Sequence, residues 1–417
     1  MHRHRDCGPR GPGVRGDCRA IARDRHRRPV STPLRLAILT YSTKPRGGVV
    51  HSLSLAEALL ELGVDVHLVA LGPTDGEFFR RTKVPFTLIP VDDTGTTLDD
   101  KVFASVDAMA EGLRGIAGEF DLVHSQDCIS ARAATRVRDE GVAVPVVRTV
   151  HHVDDFTTQA LIDCQRQAII DPDHILVVST VWQEIMRAEY GRTSDIVRNG
   201  VDPRRFPEIS PAQRQHLRDS VGAGDRQVLL SIGGIEPRKG SLELFEALGL
   251  LKSRGLDPLL VMLGGHSFQD YAAYRDAALA RLPGFGLALG EDIVQVGTVD
   301  DVTLAQWYRA ADVLAFPSVK EGFGLVALEG QAADLAVVAS SIPVFSEFLT
   351  DGVNALLPTV GDPVALADAL ESVLRDTELR SRLVEGGRLT VPAFSWIASA
   401  QRHLEIYDEV LARLSQS

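Results

Sequence analysis

Cysteine is scarce: only Cys7, Cys18, Cys128 and Cys164 occur in 417 residues, scattered and without a CxxC pair. That pattern excludes a disulfide-stapled secreted fold and a cysteine zinc ribbon, and it favours a reducing compartment. Long apolar runs are missing too. No stretch of about 18 apolar residues is available to cross a bilayer, and the N-terminus has no apolar segment of the secretory kind, so a cytoplasmic location is expected. Basic charge is lacking from the body of the chain. Residues 1–33 hold nine Arg against three Asp, so with −12 overall the remainder carries −18. An acidic body has no basic stripe for a phosphate backbone, and nucleic acid is not an expected partner.

What is present is an ordinary globular composition, 45% hydrophobic and 24% charged, over a length that suits two or three domains. Residues 1–33 mix Arg, Gly and Pro without aliphatic periodicity. They are expected to be a disordered, incidental extension, because they cannot bury enough surface to offset ordering entropy. From Leu34 the pattern turns regular. RLAILTY, GGVVHSLSLAEALLELG and VDVHLVAL read as strand, helix, strand, and apolar runs at 121–125, 144–150 and 174–179 continue the alternation. Such alternation belongs to a parallel sheet covered on both faces. Segment 199–215, NGVDPRRFPEISPAQRQ, breaks it with Pro, Asn-Gly and charge. Strand-like runs restart at RQVLLSIGG and recur near 259, 293, 313, 336 and 354. The expected architecture is α/β: two doubly wound Rossmann-like domains, 34–205 and 206–394, facing one cleft, with a closing helix in 395–417.

The strongest local signal is FPSVKEGFGLVALEGQAA, residues 316–333. Gly322 and Gly324 flank Phe323 between an apolar strand and a helix, where close backbone approach and unpaired N–H groups suit an anion such as a diphosphate. Glu321 precedes the turn, and Glu329 lies roughly 8 Å down the helix from Gly324 at about 1.5 Å per residue. Two carboxylates so placed can each grip a vicinal diol, one on a sugar and one on a ribose. The same pattern also fits a plain turn with two solvated glutamates. SIGGIEPRKG, 231–240, places Arg238 and Lys239 at a strand's carboxyl end, suited to neutralising a diphosphate, although it is not a Walker A loop. In the first half, Gly47 and Gly48 open a helix beside Lys44 and Arg46. His151, His152, Asp154 and Asp155 follow another strand. Adjacent ligands converge poorly on one ion, so a single His meeting a substrate hydroxyl or phosphate fits better than a metal site. Asp171-Pro172-Asp173 precedes a strand, at the wrong end for the cleft, and reads as turn chemistry.

Together these segments resemble the retaining GT-B glycosyltransferases, the family of glycogen synthase, sucrose synthase and phosphatidylinositol mannosyltransferase. The likeness rests on Glu321 and Glu329 as an E-x7-E motif, on NGVD and Phe206, on YRAADVLAFPS and on the GG loop. It implies transfer of a sugar from a nucleotide diphosphate sugar to an acceptor hydroxyl, with retained configuration and no metal or cofactor. The implied roles put Lys239 on the diphosphate and Glu329 on the ribose. Glu321 and the amides of Gly322, Phe323 and Gly324, leading into Leu325, would hold the transferred sugar. Gly47 and Gly48 would approach the phosphates from the opposite domain, and His151 would face the donor sugar. His151, Lys239 and Glu321 are the catalytic candidates. The acceptor, whether glycan, lipid or small molecule, is not implied, and peripheral membrane contact stays open. Two positions depart from the family. Gly234 stands where an Arg is usual, and Asp334, Leu335 and Ala336 stand where Gly-x-Pro is usual. Arg238, Lys44 or Arg46 would then supply the missing cation. A nucleotide-sugar hydrolase or epimerase, or a catalytically silent binder, are the alternatives.

Overall fold

A computed structural model describes residues 34–91, 95–265 and 271–416. The Arg-rich extension, with Cys7 and Cys18, lies outside the described residues. The first unit runs β1 (Arg35–Thr40), α1 (Gly47–Glu61), β2 (Asp65–Leu71), β3 (Phe86–Ile89), α2 (Leu98–Ile116), β4 (Leu122–Ser125) and α3 (Cys128–Asp139). It continues through β5 (Val146–Val150), α4 (Gln159–Ile170), β6 (His174–Val177), α5 (Thr180–Tyr190) and β7 (Asp195–Ile196). Its seven parallel strands are ordered β3-β2-β1-β4-β5-β6-β7. β3 and β7, at the two edges, span only four and two residues, too short to stand out in the sequence.

The second unit runs α6 (Pro211–Ser220), β8 (Val228–Ile232), α7 (Ser241–Ser253), β9 (Leu259–Leu263), α8 (Ala272–Ala280) and β10 (Ile293–Gly297). There follow α9 (Asp301–Ala310), β11 (Val313–Phe316), α10 (Leu325–Ala332), β12 (Ala336–Ala339), α11 (Pro363–Arg375), α12 (Thr377–Thr390) and α13 (Trp396–Leu414). Its five parallel strands are ordered β10-β9-β8-β11-β12. The apolar run near 354 is not a strand of this sheet: Ala355 and Leu356 make only isolated bridges, to Asp351 and Val338.

Strands such as Leu36–Leu39 and Val228–Leu230 are buried on both faces, because helices cover each side. Local chemistry fixes the helix starts. Thr97 with Asp100, and Ser210 with Gln213, form capping boxes on α2 and α6. The last helix, α13, returns to the first unit, where Trp396, Ala400, Ile406, Tyr407 and Val410 join the core beneath α1. The chain thus crosses between units twice, and the crossings touch: Val201 N–H donates to the Phe394 carbonyl at 2.8 Å. Each sheet reverses its winding direction once, between β1 and β4 and between β8 and β11. Ligands of open parallel sheets settle outside the strand carboxyl ends at such points.

Candidate active site

Both reversal points open toward one another, and the predicted residues sit on their loops. After β8, Arg238 and Lys239 end a 3-10 turn; after β11, Glu321 to Gly324 lead into α10. Lys239 Nζ lies 2.5 Å from Glu321 Oε1, with both side chains largely buried, and 4.9 Å from the centre of the Phe316 ring. Burial pushes the Glu321 carboxyl up, but Lys239 and Arg238 together outweigh it and hold it below the ordinary glutamate value. The Glu321 carboxyl is therefore ionised at neutral pH. Arg238 is more exposed; its Nη1 is 3.8 Å from Glu321 and its Nε 3.0 Å from Glu236 Oε2.

Glu329 is 8% exposed and lies deeper. Tyr308 OH donates to its Oε2 at 2.9 Å, and Arg205 Nη1 stands 3.5 Å from Oε1 while also pairing with Asp301. Burial raises the Glu329 carboxyl, which Arg205 and Tyr308 offset only in part. Phe206 meets the Tyr308 ring edge-on at 5.4 Å, so the interdomain segment floors this corner. Phe323 turns away from the cleft and stacks on Phe348 at 5.1 Å, leaving its backbone to the site. Gly324 has φ +99°, and a side chain there would strike the Phe345 ring. Leu325 opens α10 and packs against the clusters of both units.

Across the cleft, Gly47 and Gly48 begin α1, and a Cβ on Gly48 would be 3.9 Å from His151 Cδ2. Lys44 is exposed, whereas Arg46 Nη1 donates to Tyr41 OH at 2.6 Å. His151 follows β5, and its Nε2 is 2.9 Å from Gln126 Oε1. The remaining members of its motif disperse: His152 pairs with Asp154 at 3.3 Å, and Asp155 reaches across to Lys320 of the second unit at 2.8 Å. Among the described residues no three His, Cys, Asp or Glu side chains gather as a metal site. Asp171 and Asp173 bind Arg132 and Arg138, and Asp173 also accepts from Val146 N at the start of β5.

The units meet at His151. Its carbonyl oxygen occupies the space that a side chain on Gly322 would take, and Trp182 Nε1 of α5 donates to the Gly322 carbonyl at 3.0 Å. At Gly234, a Cβ would lie 2.7 Å from the Gly265 carbonyl and 3.2 Å from Glu236 Oε1, so the loop has no room for an arginine. Asp334 has φ +56°, a left-handed conformation that explains a glycine elsewhere, and its carboxylate bonds Arg309 at 2.5 Å and Arg388 at 2.6 Å.

Sequence reasoning missed a buried histidine group behind His151. His51 of α1 stands 4.6 Å from the His151 ring and 6.1 Å from His403 of α13, and His124 of β4 is 5.5 Å from His403. Burial, and for His51 the neighbouring His403, pushes His51 down to about 3; burial lowers His403 to about 4. His124 and His151 are also held well below the ordinary histidine value, chiefly by burial. All four are neutral near pH 7. His51 and His403 fall at buried positions of α1 and α13 and His124 within a buried strand, so nothing local in the sequence marks the group.

A family model described as Glycosyltransferase Family 4 matches residues 45–205, and one described as Glycosyl transferases group 1 matches 213–390. Relatives named D-inositol 3-phosphate glycosyltransferase include one from Jonesia denitrificans, 32% identical over 70% of this chain and 72% of its own length. Another, from Salinispora arenicola, is 30% identical over 94% of this chain and 95% of its own. Among solved structures, sucrose-phosphate synthase from Thermosynechococcus elongatus superposes with a TM-score of 0.76 at 21% identity, covering 91% of this chain and 99% of that one. Anabaena HepE in complex with UDP-glucose gives 0.73 at 19% identity, covering 90% and 99%.

Proposed function

The chain belongs to the group 1 glycosyltransferases of GT-B fold, and from that premise we propose that it moves a sugar from a nucleotide diphosphate sugar to an acceptor hydroxyl, with retention and without a metal ion. The observation that carries this reading is the convergence of Lys239, Glu321 and Glu329 on the entrance of α10, directly across Gly322 from His151. Donor diphosphate between the N-termini of α10 and α1 meets two sets of unpaired backbone N–H groups. It also draws Lys239 away from Glu321, which frees that carboxylate to accept from sugar hydroxyls. Glu329 accepts from the ribose. As the bond to the leaving phosphate breaks, Lys239, Arg238 and the helix ends take up the growing charge. The departing phosphate oxygen receives the acceptor's proton on the same face, which retains configuration. The relatives' shared name makes an inositol phosphate the first acceptor to try.

The test is a thermal-shift screen of UDP-, GDP- and ADP-sugars with chelator present, followed by NMR of the product's anomeric centre. A donor at 100 times its Kd adds about 2.7 kcal/mol of stability. Binding or turnover that strictly requires a divalent ion, or an inverted product, overturns the corresponding part of the proposal.

A further inference from the structure

The side chain that faces His151 from the first unit is Gln126, 3% exposed, just beyond β4. An amide can be turned either way, and its orientation decides which nitrogen of His151 carries the proton. His124 settles it. The amide nitrogen of Gln126 lies 3.3 Å from His124 Nδ1 and 3.2 Å from Nε2. A point equidistant from both ring nitrogens at that range cannot lie in the ring plane without striking a ring carbon, so it lies over the ring face. Both His124 nitrogens already have in-plane partners, Tyr407 OH at 2.6 Å and Thr149 Oγ1 at 2.8 Å. The π face of a neutral imidazole is electron-rich and favours an N–H over a carbonyl oxygen. The Gln126 NH2 therefore belongs over His124, and its carbonyl oxygen faces His151 Nε2 at 2.9 Å.

We infer that Gln126 is a positioning residue: it holds His151 as the Nε2–H tautomer and leaves the Nδ1 lone pair to accept a hydrogen bond from the substrate. This inference rests on the proposed role of His151 in the cleft. The Gln126 bond is to Nε2, and no hydrogen bond engages His151 Nδ1 among the described residues. The ring's surroundings keep the lone pair free of a proton. His51 on α1, His124 on β4, and Arg148 and His152 on and after β5 all disfavour a positive His151, on top of its burial. Asp155, after β5, is paired with Lys320 of the second unit, and Glu321 with Lys239, so neither carboxylate is free to hold a proton on the ring. A histidine in this state accepts a hydroxyl's hydrogen bond; it does not supply a cation.

The test uses the full chain with 15N-labelled histidine and long-range 1H–15N correlation spectra, in which His151→Ala identifies the His151 signals. Wild type is expected to show pyrrole-type Nε2 and pyridine-type Nδ1 for His151 at pH 7. Gln126→Glu keeps the shape but puts a carboxylate on Nε2–H, and it should raise the His151 titration midpoint by about one to three units. Its turnover should then fall on the acid side relative to wild type and recover as pH rises. Gln126→Leu should mix the two tautomers and lower kcat more than it changes donor KM. A protonated Nδ1 in wild type, or a His151 midpoint in Gln126→Glu that does not move, overturns the inference. Full turnover in His151→Ala would instead overturn the proposed role of His151, while the tautomer measurement still decides the part played by Gln126.

Discussion

Gly322→Ala tests whether the two units must close on each other for chemistry. Gly322 does not occupy the left-handed region, so alanine is compatible with its backbone, and the substitution acts through space alone. The added methyl would fall far inside the 3.0 Å that real Cβ atoms respect, against the rigid His151 carbonyl at the end of β5. Carbon and oxygen settle at about 3.5 Å, so the loop from Ser318 to Gly324 must retreat by about 1 Å. Glu321 is the neighbouring residue and moves with it, away from His151 and the GG loop. A misplacement of that size costs on the order of 100-fold in turnover. Nucleotide affinity should change much less, because Glu329 is held in the deeper corner by Tyr308 and Arg205. Stability should fall by about 1 to 3 kcal/mol, the usual cost of overpacking, because Phe323 and the Trp182 bond to the Gly322 carbonyl move with the loop. The assays are kcat and KM for the donor, calorimetric nucleotide affinity, and radius of gyration by X-ray scattering with donor present. Wild-type turnover, or a loss of nucleotide affinity as large as the loss of turnover, would refute the argument.

Glu329→Gln should keep the fold and weaken nucleotide binding by about 1.5 to 3 kcal/mol, the range for hydrogen bonds to a charged group; unchanged calorimetric affinity would remove the ribose role. The buried histidines should make the protein acid-labile. His51 and His403 have folded values of about 3 and about 4 against 6.5 unfolded, so the unfolded chain binds more protons below pH 6.5. Stability is present above that pH and is lost as pH falls toward the folded values, by about 2 kcal/mol per group at pH 5. Denaturant melts at pH 7 and pH 5 measure the loss, and a flat profile would show that the group is hydrated in place. Asp334→Ala should destabilise more than Asp334→Gly. Both lose the bonds to Arg309 and Arg388, but only alanine remains in a left-handed conformation, at about 1 to 2 kcal/mol. Equal losses in urea melts would show that the backbone relaxes.

The second unit was the more legible because its candidate site is written in contiguous segments. Glu321, the glycines and Glu329 fall within one strand, turn and helix, and Arg238-Lys239 within another. Their spacing alone places them at strand carboxyl ends. The first unit's candidate site comes one residue or two at a time from separate strand ends. Gln126 contributes a side chain from β4, His151 from β5 and His51 from the second turn of α1, and only the order of strands brings them together. The return of α13 was equally hidden. An amphipathic helix at the end of a chain announces that it packs, but not on which unit; Tyr407 bonding His124 answers that only in three dimensions.

Gly234 shows the limit from the other side. Read as a missing cation, it suggested that Arg238, Lys44 or Arg46 makes up the charge. The structure gives Arg238 a carboxylate already, Glu236, and gives Arg46 the hydroxyl and ring of Tyr41. Lys44 is exposed on the first unit's loop. The space an arginine at 234 would enter is filled by the Gly265 carbonyl and by Glu236, itself 4% exposed. An arginine added there would meet the Glu236 side chain before it met a phosphate. Lys239 pairs with Glu321, which the proposed mechanism assigns to a sugar hydroxyl once the lysine is drawn to a diphosphate. In the proposed mechanism, exchange of that one ion pair, with Arg238 and the two helix ends beside it, meets the leaving diphosphate without an arginine at 234.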